Sequence, residues 1–166
     1  MKRKTRMAFL AAMVLTGGLV FAAAKANFNG TWVMDKTRSE GLPPNVEQMM
    51  TITQTGDNLA LENKIVTPAG EITISDTFNL NGKEEEVTEK RNDEELKGKR
   101  TSKWLADGSG FESSEELTTV GGDGLPISQQ INRKWTMSAD GKTFTVDLSG
   151  TTPRGEMHSK RVFVRK

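Results

Sequence analysis

Several strand-like segments of this sequence carry a charged or amide side chain on the same face as large apolar side chains. Arg100 has the same alternation phase as Trp104, and Glu115 has the same phase as Phe111. Polar groups on an inward face are costly unless they are paired or hydrated, whereas a ligand cavity needs apolar walls with a few placed polar groups. We therefore interpret one set of side chains as a candidate ligand-binding set inside a barrel: Asn63, Asp76, Arg100, Trp104, Glu115, Arg133 and Trp135.

The same polar side chains allow a second interpretation, in which they neutralise one another. Arg133 and Glu115 fall in neighbouring predicted strands and can form an ion pair across them. A shift of one residue in strand register would instead turn each of these side chains to the outer surface. The sequence leaves both alternatives open: polar groups that serve a ligand, and polar groups that pair within a filled barrel.

Residues that usually carry catalysis are scarce. His158 is the only histidine, and the chain has no cysteine and no tyrosine, so catalytic triads, thiol chemistry and zinc sites lack their residues. Asp107 and Asp140 each precede a glycine, and turn chemistry explains them. The successive glutamates at 84–86 cannot converge on a metal ion, because neighbours in a strand point to opposite faces. We expect a protein that is not an enzyme and that has no metal or other cofactor.

The elements that must position these side chains are short β-strands. Apolar and polar residues alternate in runs that turn dipeptides interrupt about every ten residues. This pattern predicts an all-β fold, a single antiparallel up-and-down β-barrel of about 8–10 strands, closed with no exposed edge. The strand at 72–80 ends at Asn81-Gly82, a typical tight-hairpin turn. Mixed charges at 83–99 indicate solvated edge strands.

The segment Gly30-Thr31-Trp32 opens the first predicted strand. In a small barrel the first strand must close against the last, and a large flat side chain near its start can plug one end. Glycine at that place lets another part of the chain approach closely. Trp32 is therefore a candidate floor of the barrel.

Residues 1–26 have the three parts of a secretory signal: a basic start, an apolar run and a small-x-small site at Ala24-Lys25-Ala26. The predicted organisation is a signal peptide at 1–26 and one barrel domain at 27–166. Removing the five basic residues of the signal from the 23 of the whole chain leaves 18 against 22 acidic residues, a charge of −4. An exported protein, periplasmic or extracellular, is the expectation, without a nucleic-acid partner because such partners call for a basic surface.

Gly30-Thr31-Trp32 on the first strand, with Arg161 and Arg165 on the last, resembles the calycin pattern of lipocalins and their relatives. The resemblance implies that a terminal arginine packs across the tryptophan, with Gly30, Trp32, Arg161 and Arg165 closing the barrel. The whole chain after the signal is similar to a group of uncharacterised exported bacterial lipocalin-like proteins. The similarity lies in strand starts and turns, and implies fold and compartment: Leu42-Pro43-Pro44, Thr53-Gln54-Thr55-Gly56-Asp57, Asn81-Gly82-Lys83, Ser138-Ala139-Asp140-Gly141-Lys142-Thr143, Gly150-Thr151-Thr152 and Val162-Phe163-Val164-Arg165.

Two functions remain at the end of the sequence argument. The first is non-catalytic binding of a small apolar or amphipathic molecule in the barrel. The alternative is a structural or protein-interaction module of the bacterial cell envelope, with side chains filling the barrel. An outer-membrane barrel is disfavoured, because the predicted outward faces carry Thr, Ser, Asn, Lys and Glu instead of an apolar band with aromatic girdles.

Overall fold

The computed structural model describes residues 24–91, 94–120, 124–153 and 155–166. Residues 1–23, most of the predicted signal peptide, lie outside this part of the chain. Among the described residues, no helix is long and apolar enough to cross a membrane. Ten strands follow one another: β1 (Gly30–Met34), β2 (Glu47–Thr55), β3 (Asn58–Thr67), β4 (Gly70–Asn79), β5 (Asn81–Arg91), β6 (Glu94–Trp104), β7 (Gly110–Val120), β8 (Pro126–Met137), β9 (Thr143–Thr152) and β10 (Gly155–Arg165).

The ten strands form one antiparallel sheet in the order β4-β3-β2-β1-β10-β9-β8-β7-β6-β5. The first strand pairs with the last, with Trp32 opposite Arg165 and Met34 opposite Phe163. All other neighbours in this order are also neighbours in the chain, which defines an up-and-down meander curled into a nearly closed barrel. The predicted all-β, antiparallel up-and-down barrel is confirmed.

The barrel is not closed by hydrogen bonds between β4 and β5, which are the two edges of the sheet. The prediction that the strands around Asn81-Gly82 form a hairpin is therefore wrong, as is the expectation of no exposed edge. Gly82 does adopt the positive φ of a turn, at 76°. However, the Leu80 amide donates to the Asp57 carbonyl oxygen at 2.7 Å, and the Leu80 side chain is buried. This anchor holds the end of β4 toward the β2–β3 turn, and the two strands diverge.

One end of the barrel is filled by aromatic side chains. Their rings pack edge-to-face, as for Phe28 and Phe111 at 5.4 Å, or stacked, as for Phe111 and Trp135 at 5.1 Å. Such pairs contribute about 0.5–1.5 kcal/mol each beyond the area they bury. We call this cluster, in which every side chain is at most 3% exposed, the aromatic floor: Phe28, Trp32, Phe78, Phe111, Trp135, Phe144 and Phe163.

Arg165 seals the floor at the junction of β1 and β10. Its guanidinium lies 4.2 Å from the centre of the Trp32 ring, and its Nη1 donates to the Asn29 carbonyl oxygen at 2.5 Å. A Cβ at Gly30 would come within 2.8 Å of the Arg165 Nη1 atom, and Gly30 has a φ of 127°. The glycine is therefore required both for the backbone conformation and for the passage of the arginine across the tryptophan.

Candidate ligand-binding cavity

A cavity of about 1440 Å³ lies in the barrel beyond the aromatic floor. Phe78 and Trp135 of the floor form one boundary of it. Ile72 and Ile74 on β4 also line it, and they are 52% and 46% exposed. Ligand sites for small molecules commonly measure about 300–1,000 Å³, so the space is sufficient for a molecule of that size.

All seven residues of the sequence-predicted set face the barrel interior, because the strand register preserves the phase of their apolar neighbours. Arg100 pairs across strands with Glu115, and Leu61, which shares its face with Asn63, pairs with Asp76. Five of the seven line the cavity: Asn63, Asp76, Arg100, Arg133 and Trp135. Glu115 lies behind this lining, 1% exposed. Trp104 lies beside the floor, where its indole Nε1 donates to Asp57 Oδ1 at 2.8 Å.

Arg100 on β6 connects the two sides of the gap between β4 and β5. Its Nη1 and Nη2 atoms donate to the two carboxylate oxygens of Asp76 at 2.8 and 2.9 Å. Nη1 also donates to the Thr77 carbonyl oxygen at 2.6 Å, and Nε donates to Glu115 Oε1 at 2.6 Å. The guanidinium lies 4.3 Å from the centre of the Phe78 ring. Because these bonds join β6 to β4, Arg100 closes by side chains the seam that backbone bonds leave open.

Glu115 is shared between two arginines. Its Oε1 accepts from Arg100 and lies 2.5 Å from Nη1 of Arg133. Burial opposes ionisation of Glu115, but the charges of Arg133 and Arg100 outweigh it and lower the pKa of the carboxyl group. Burial likewise opposes the charge of Arg100, yet Asp76 and Glu115 raise its pKa overall. Glu115 and Arg100 are therefore both charged in the folded protein. The ion pair between Arg133 and Glu115 is the pair that the second interpretation of the sequence predicts.

Arg161 does not join Arg165 at the tryptophan, although the resemblance groups the two. Arg161 lies on the inner face of β10, two residues before Phe163 of the aromatic floor. Ser159 and Met157 follow on the same face, further from the floor. Its Nη1 contacts Gln48 Oε1 at 3.4 Å, a long hydrogen bond. Burial, together with repulsion from Arg133, lowers the pKa of Arg161.

The predicted binding set did not include six interior polar residues: Gln48, Glu85, Ser102, Ser113, Ser159 and Arg161. The alternation of Met157, Ser159, Arg161 and Phe163 carries the signal for two of them, since Phe163 marks the inner face. Together with the predicted set they form a zone that we call the polar belt: Gln48, Asn63, Asp76, Glu85, Arg100, Ser102, Ser113, Glu115, Arg133, Ser159 and Arg161.

The polar belt concentrates the unsatisfied polar atoms of the described chain. Proteins normally pair the large majority of their buried polar atoms. Here eight buried side-chain atoms have no polar partner, and by strand alternation they face the interior: Asn63 Oδ1, Glu85 Oε1, Ser102 Oγ, Ser113 Oγ, Glu115 Oε2, Trp135 Nε1, Ser159 Oγ and Arg161 Nε. The interior therefore offers both donors and acceptors to whatever enters it.

A second depression, of about 730 Å³, lies on the outer surface across β6 to β10. Its wall is made largely of exposed charged side chains that pair with each other, such as Lys103 and Glu112 at 3.0 Å. Exposed pairs of this kind contribute about 0–1 kcal/mol and remain hydrated. His158 also lies there, on the face of β10 opposite to Ser159 and Arg161. In the described part of the chain, no group of three or more histidine, cysteine, aspartate or glutamate side chains is arranged to hold a metal ion.

Several solved structures are similar to this barrel. The zebrafish ileal bile acid-binding protein, crystallised with cholic acid, superposes with a TM-score of 0.53 at 17% identity, over 84% of this chain and 98% of that one. An abundant heat soluble (SAHS) protein from Ramazzottius varieornatus gives a TM-score of 0.51 at 18% identity, over 87% and 98% of the two chains. No protein-family model and no curated protein matches the sequence. At these identities the similarity shows the fold alone.

Proposed function

We propose that this protein is a non-catalytic binding protein that holds a small apolar or amphipathic molecule inside the barrel. The observation that carries the proposal is a space of about 1440 Å³ whose lining residues include four with an unpaired buried polar atom: Asn63 Oδ1, Glu85 Oε1, Trp135 Nε1 and Arg161 Nε. An unpaired buried donor or acceptor costs about 1–3 kcal/mol. An amphipathic molecule accounts for both features, because its apolar part fills the space and its polar group bonds to these atoms.

The structural neighbours support the same proposal. One of them is, by its name, a bile acid-binding protein and was crystallised with cholic acid. Cholic acid is an amphipathic molecule with an apolar skeleton and polar substituents, the type of molecule that apolar walls with a polar belt would suit. The alternative, an interaction module with a filled barrel, requires an interior without room for a ligand, and the cavity argues against it.

Native mass spectrometry of the protein, purified without detergent, tests this proposal. We expect a reproducible mass above that of the bare chain, or its appearance after incubation with apolar and amphipathic compounds. The added mass should disappear when the protein is denatured, because binding depends on the folded barrel. A bare-chain mass before and after every incubation would contradict the proposal and favour an interaction module.

We also propose that the protein is exported, on the strength of the signal-like segment at 1–26. A cut after Ala26 leaves Asn27 as the first residue and retains Phe28, whose ring belongs to the aromatic floor. The intact mass of the protein recovered from cell fractions tests this. We expect the mass of residues 27–166 in a periplasmic or extracellular fraction, and a full-length mass in the cytoplasm would contradict export.

A further inference from the structure

We propose that Arg161 is the docking point for an anionic group of the ligand, a carboxylate or a phosphate, at the deep end of the cavity. This inference rests on the proposed function and specifies the class of molecule: an amphipathic anion. The polar belt contains three arginines, and they differ in how completely carboxylates on the protein neutralise them. That difference identifies Arg161 as the available cation.

Arg100 and Arg133 are already engaged. Arg100 is held by Asp76 and Glu115 through three hydrogen bonds between 2.6 and 2.9 Å, and Arg133 forms an ion pair with Glu115 at 2.5 Å. Arg161 forms no ion pair with any carboxylate among the described residues, and its Nε has no hydrogen-bond partner. Its one contact is neutral, to the amide oxygen of Gln48.

The electrostatic surroundings of Arg161 favour an anion. Burial is the main cause of its lowered pKa, and the remaining cause is repulsion from the like charge of Arg133. A buried charge without a counter-ion is unfavourable, and an anion that enters with good geometry compensates it. Arginine also presents several donors in a planar fork that matches carboxylate and phosphate oxygens.

The strand register brings further donors to the same place. Ser159 lies two residues before Arg161 on the same face of β10, and its buried hydroxyl has no partner. Across β9, Ser159 pairs with Leu148, and Leu148 pairs with Arg133 on β8. Arg133 and Arg161 are therefore diagonal neighbours across this wall, with the Ser159 hydroxyl beside them. The Arg161 guanidinium and the Ser159 hydroxyl form the candidate anion subsite, and the positive charge of Arg133 lies close to it.

The apolar side chains fix the orientation of the ligand. On the floor side of Arg161, the next inward residue of β10 is Phe163, which is fully buried. On the other side the wall continues to Met157, Leu148 and Ile131, which pack together as an apolar cluster. The anionic group therefore lies deep, next to the floor, and the apolar part of the ligand extends away from the floor toward Met157.

Matched ligands with the same alkyl chain test the inference by isothermal titration calorimetry below their micelle concentrations. The ligands are dodecanoate, dodecyl phosphate and dodecanol, and the proteins are the wild type, Arg161→Met and Lys160→Met. Lys160 is the control because it is adjacent to Arg161 but exposed on the outer face. We expect the wild type and the control to bind at least one anion about tenfold or more tightly than dodecanol, as charge-assisted hydrogen bonds provide. The Arg161→Met variant should lose this preference, and Arg161→Lys should restore part of it.

The outcomes separate the two proposals. Equal affinity of the wild type for the anions and for dodecanol, or a preference that survives in Arg161→Met, would overturn the anion subsite while leaving the binding function intact. Binding of none of the three ligands to the wild type would overturn the subsite and count against the binding function. Circular dichroism and the thermal midpoint of each variant establish that the loss of preference occurs in a folded protein.

Discussion

The aromatic floor and the polar belt occupy the same barrel but satisfy their polar atoms differently. In the floor, the Trp32 indole donates to the Phe28 carbonyl oxygen at 2.8 Å, and rings cover the remaining surface. The belt leaves seven of its side-chain atoms without partners, while an eighth unpaired atom, Trp135 Nε1, lies at the boundary between the two regions. We therefore expect the floor to provide most of the stability and the belt to receive the proposed ligand.

Within the belt, Arg100 and Arg161 are a second contrast. Arg100 is fully engaged and joins β4 to β6 where the sheet is not continuous. Arg161 has a single long hydrogen bond to an amide. One buried arginine therefore completes the barrel, and the other has no carboxylate partner among the described residues. The following predictions test both contrasts.

The largest effect is expected in the floor. Trp32→Ala should lower the free energy of unfolding by about 3–5 kcal/mol, because it removes a fully buried ring and leaves a cavity. Val33→Ala, next to it on the same strand but 37% exposed, should cost within about 0.5 kcal/mol. Chemical denaturation measures both. A loss below about 0.5 kcal/mol for Trp32→Ala would show that the aromatic floor does not stabilise the fold.

Arg100→Met should destabilise the protein by about 3 kcal/mol, because Asp76 and Glu115 would remain in the barrel without their main partner. Lys99→Met is the matched control, since Lys99 is exposed on the same strand and forms only a surface pair with Glu84. Denaturation at neutral pH compares the two. Equal stability of both variants would show that the seam does not depend on Arg100.

Arg161→Met should change the free energy of unfolding of the ligand-free protein by no more than about 1 kcal/mol, in either direction. The substitution removes a buried cation that has no carboxylate partner, so the lost hydrogen bond is offset by relief of a desolvation cost. The same denaturation experiment measures it. A loss as large as that of Arg100→Met would mean that Arg161 is a structural arginine as well.

The smallest effect is a difference in pH dependence. The pKa of Glu115 lies below its ordinary value of 4.5 in the folded protein. Its ionisation therefore stabilises the fold above about pH 4.5, and this contribution is lost as the pH falls through the lower folded-state pKa. We expect the urea midpoint to fall more steeply below pH 4.5 in the wild type than in Glu115→Gln. Parallel profiles would contradict the charge assignment of the network.

The barrel and the inward phase of its polar residues are predictable from sequence, because a strand's two-residue period makes Phe111 and Glu115 share a face whatever the tertiary structure. The gap between β4 and β5 is not predictable in this way. Asn81-Gly82 has ordinary hairpin chemistry, but Leu80 continues the pairing of β4 with β3 by its bond to Asp57, and β5 pairs with β6 instead. Local turn preference was overruled by tertiary packing.

The placement of the arginines shows a similar limit. Alternation assigns Arg133 and Glu115 to the interior, and their pairing follows from neighbouring strands. The Arg100 bond to Asp76 joins strands that are not neighbours in the sheet, so no local pattern encodes it. The calycin resemblance groups Arg161 with Arg165 at the barrel closure. The two-residue spacing between Arg161 and Phe163, however, predicts that Arg161 lies on the inner face of β10.

The three tryptophan indoles provide the most direct test that the belt, and not the floor, receives the ligand. Trp32 Nε1 is bonded to Phe28, Trp104 Nε1 to Asp57, and Trp135 Nε1 faces the interior without a partner. A titration with dodecanoate, followed by ¹H–¹⁵N NMR of the indole signals, observes all three at once. We expect the Trp135 signal to shift while the Trp32 signal stays in place. Saturable binding that shifts Trp32 and leaves Trp135 unchanged would contradict the assignment of binding to the polar belt.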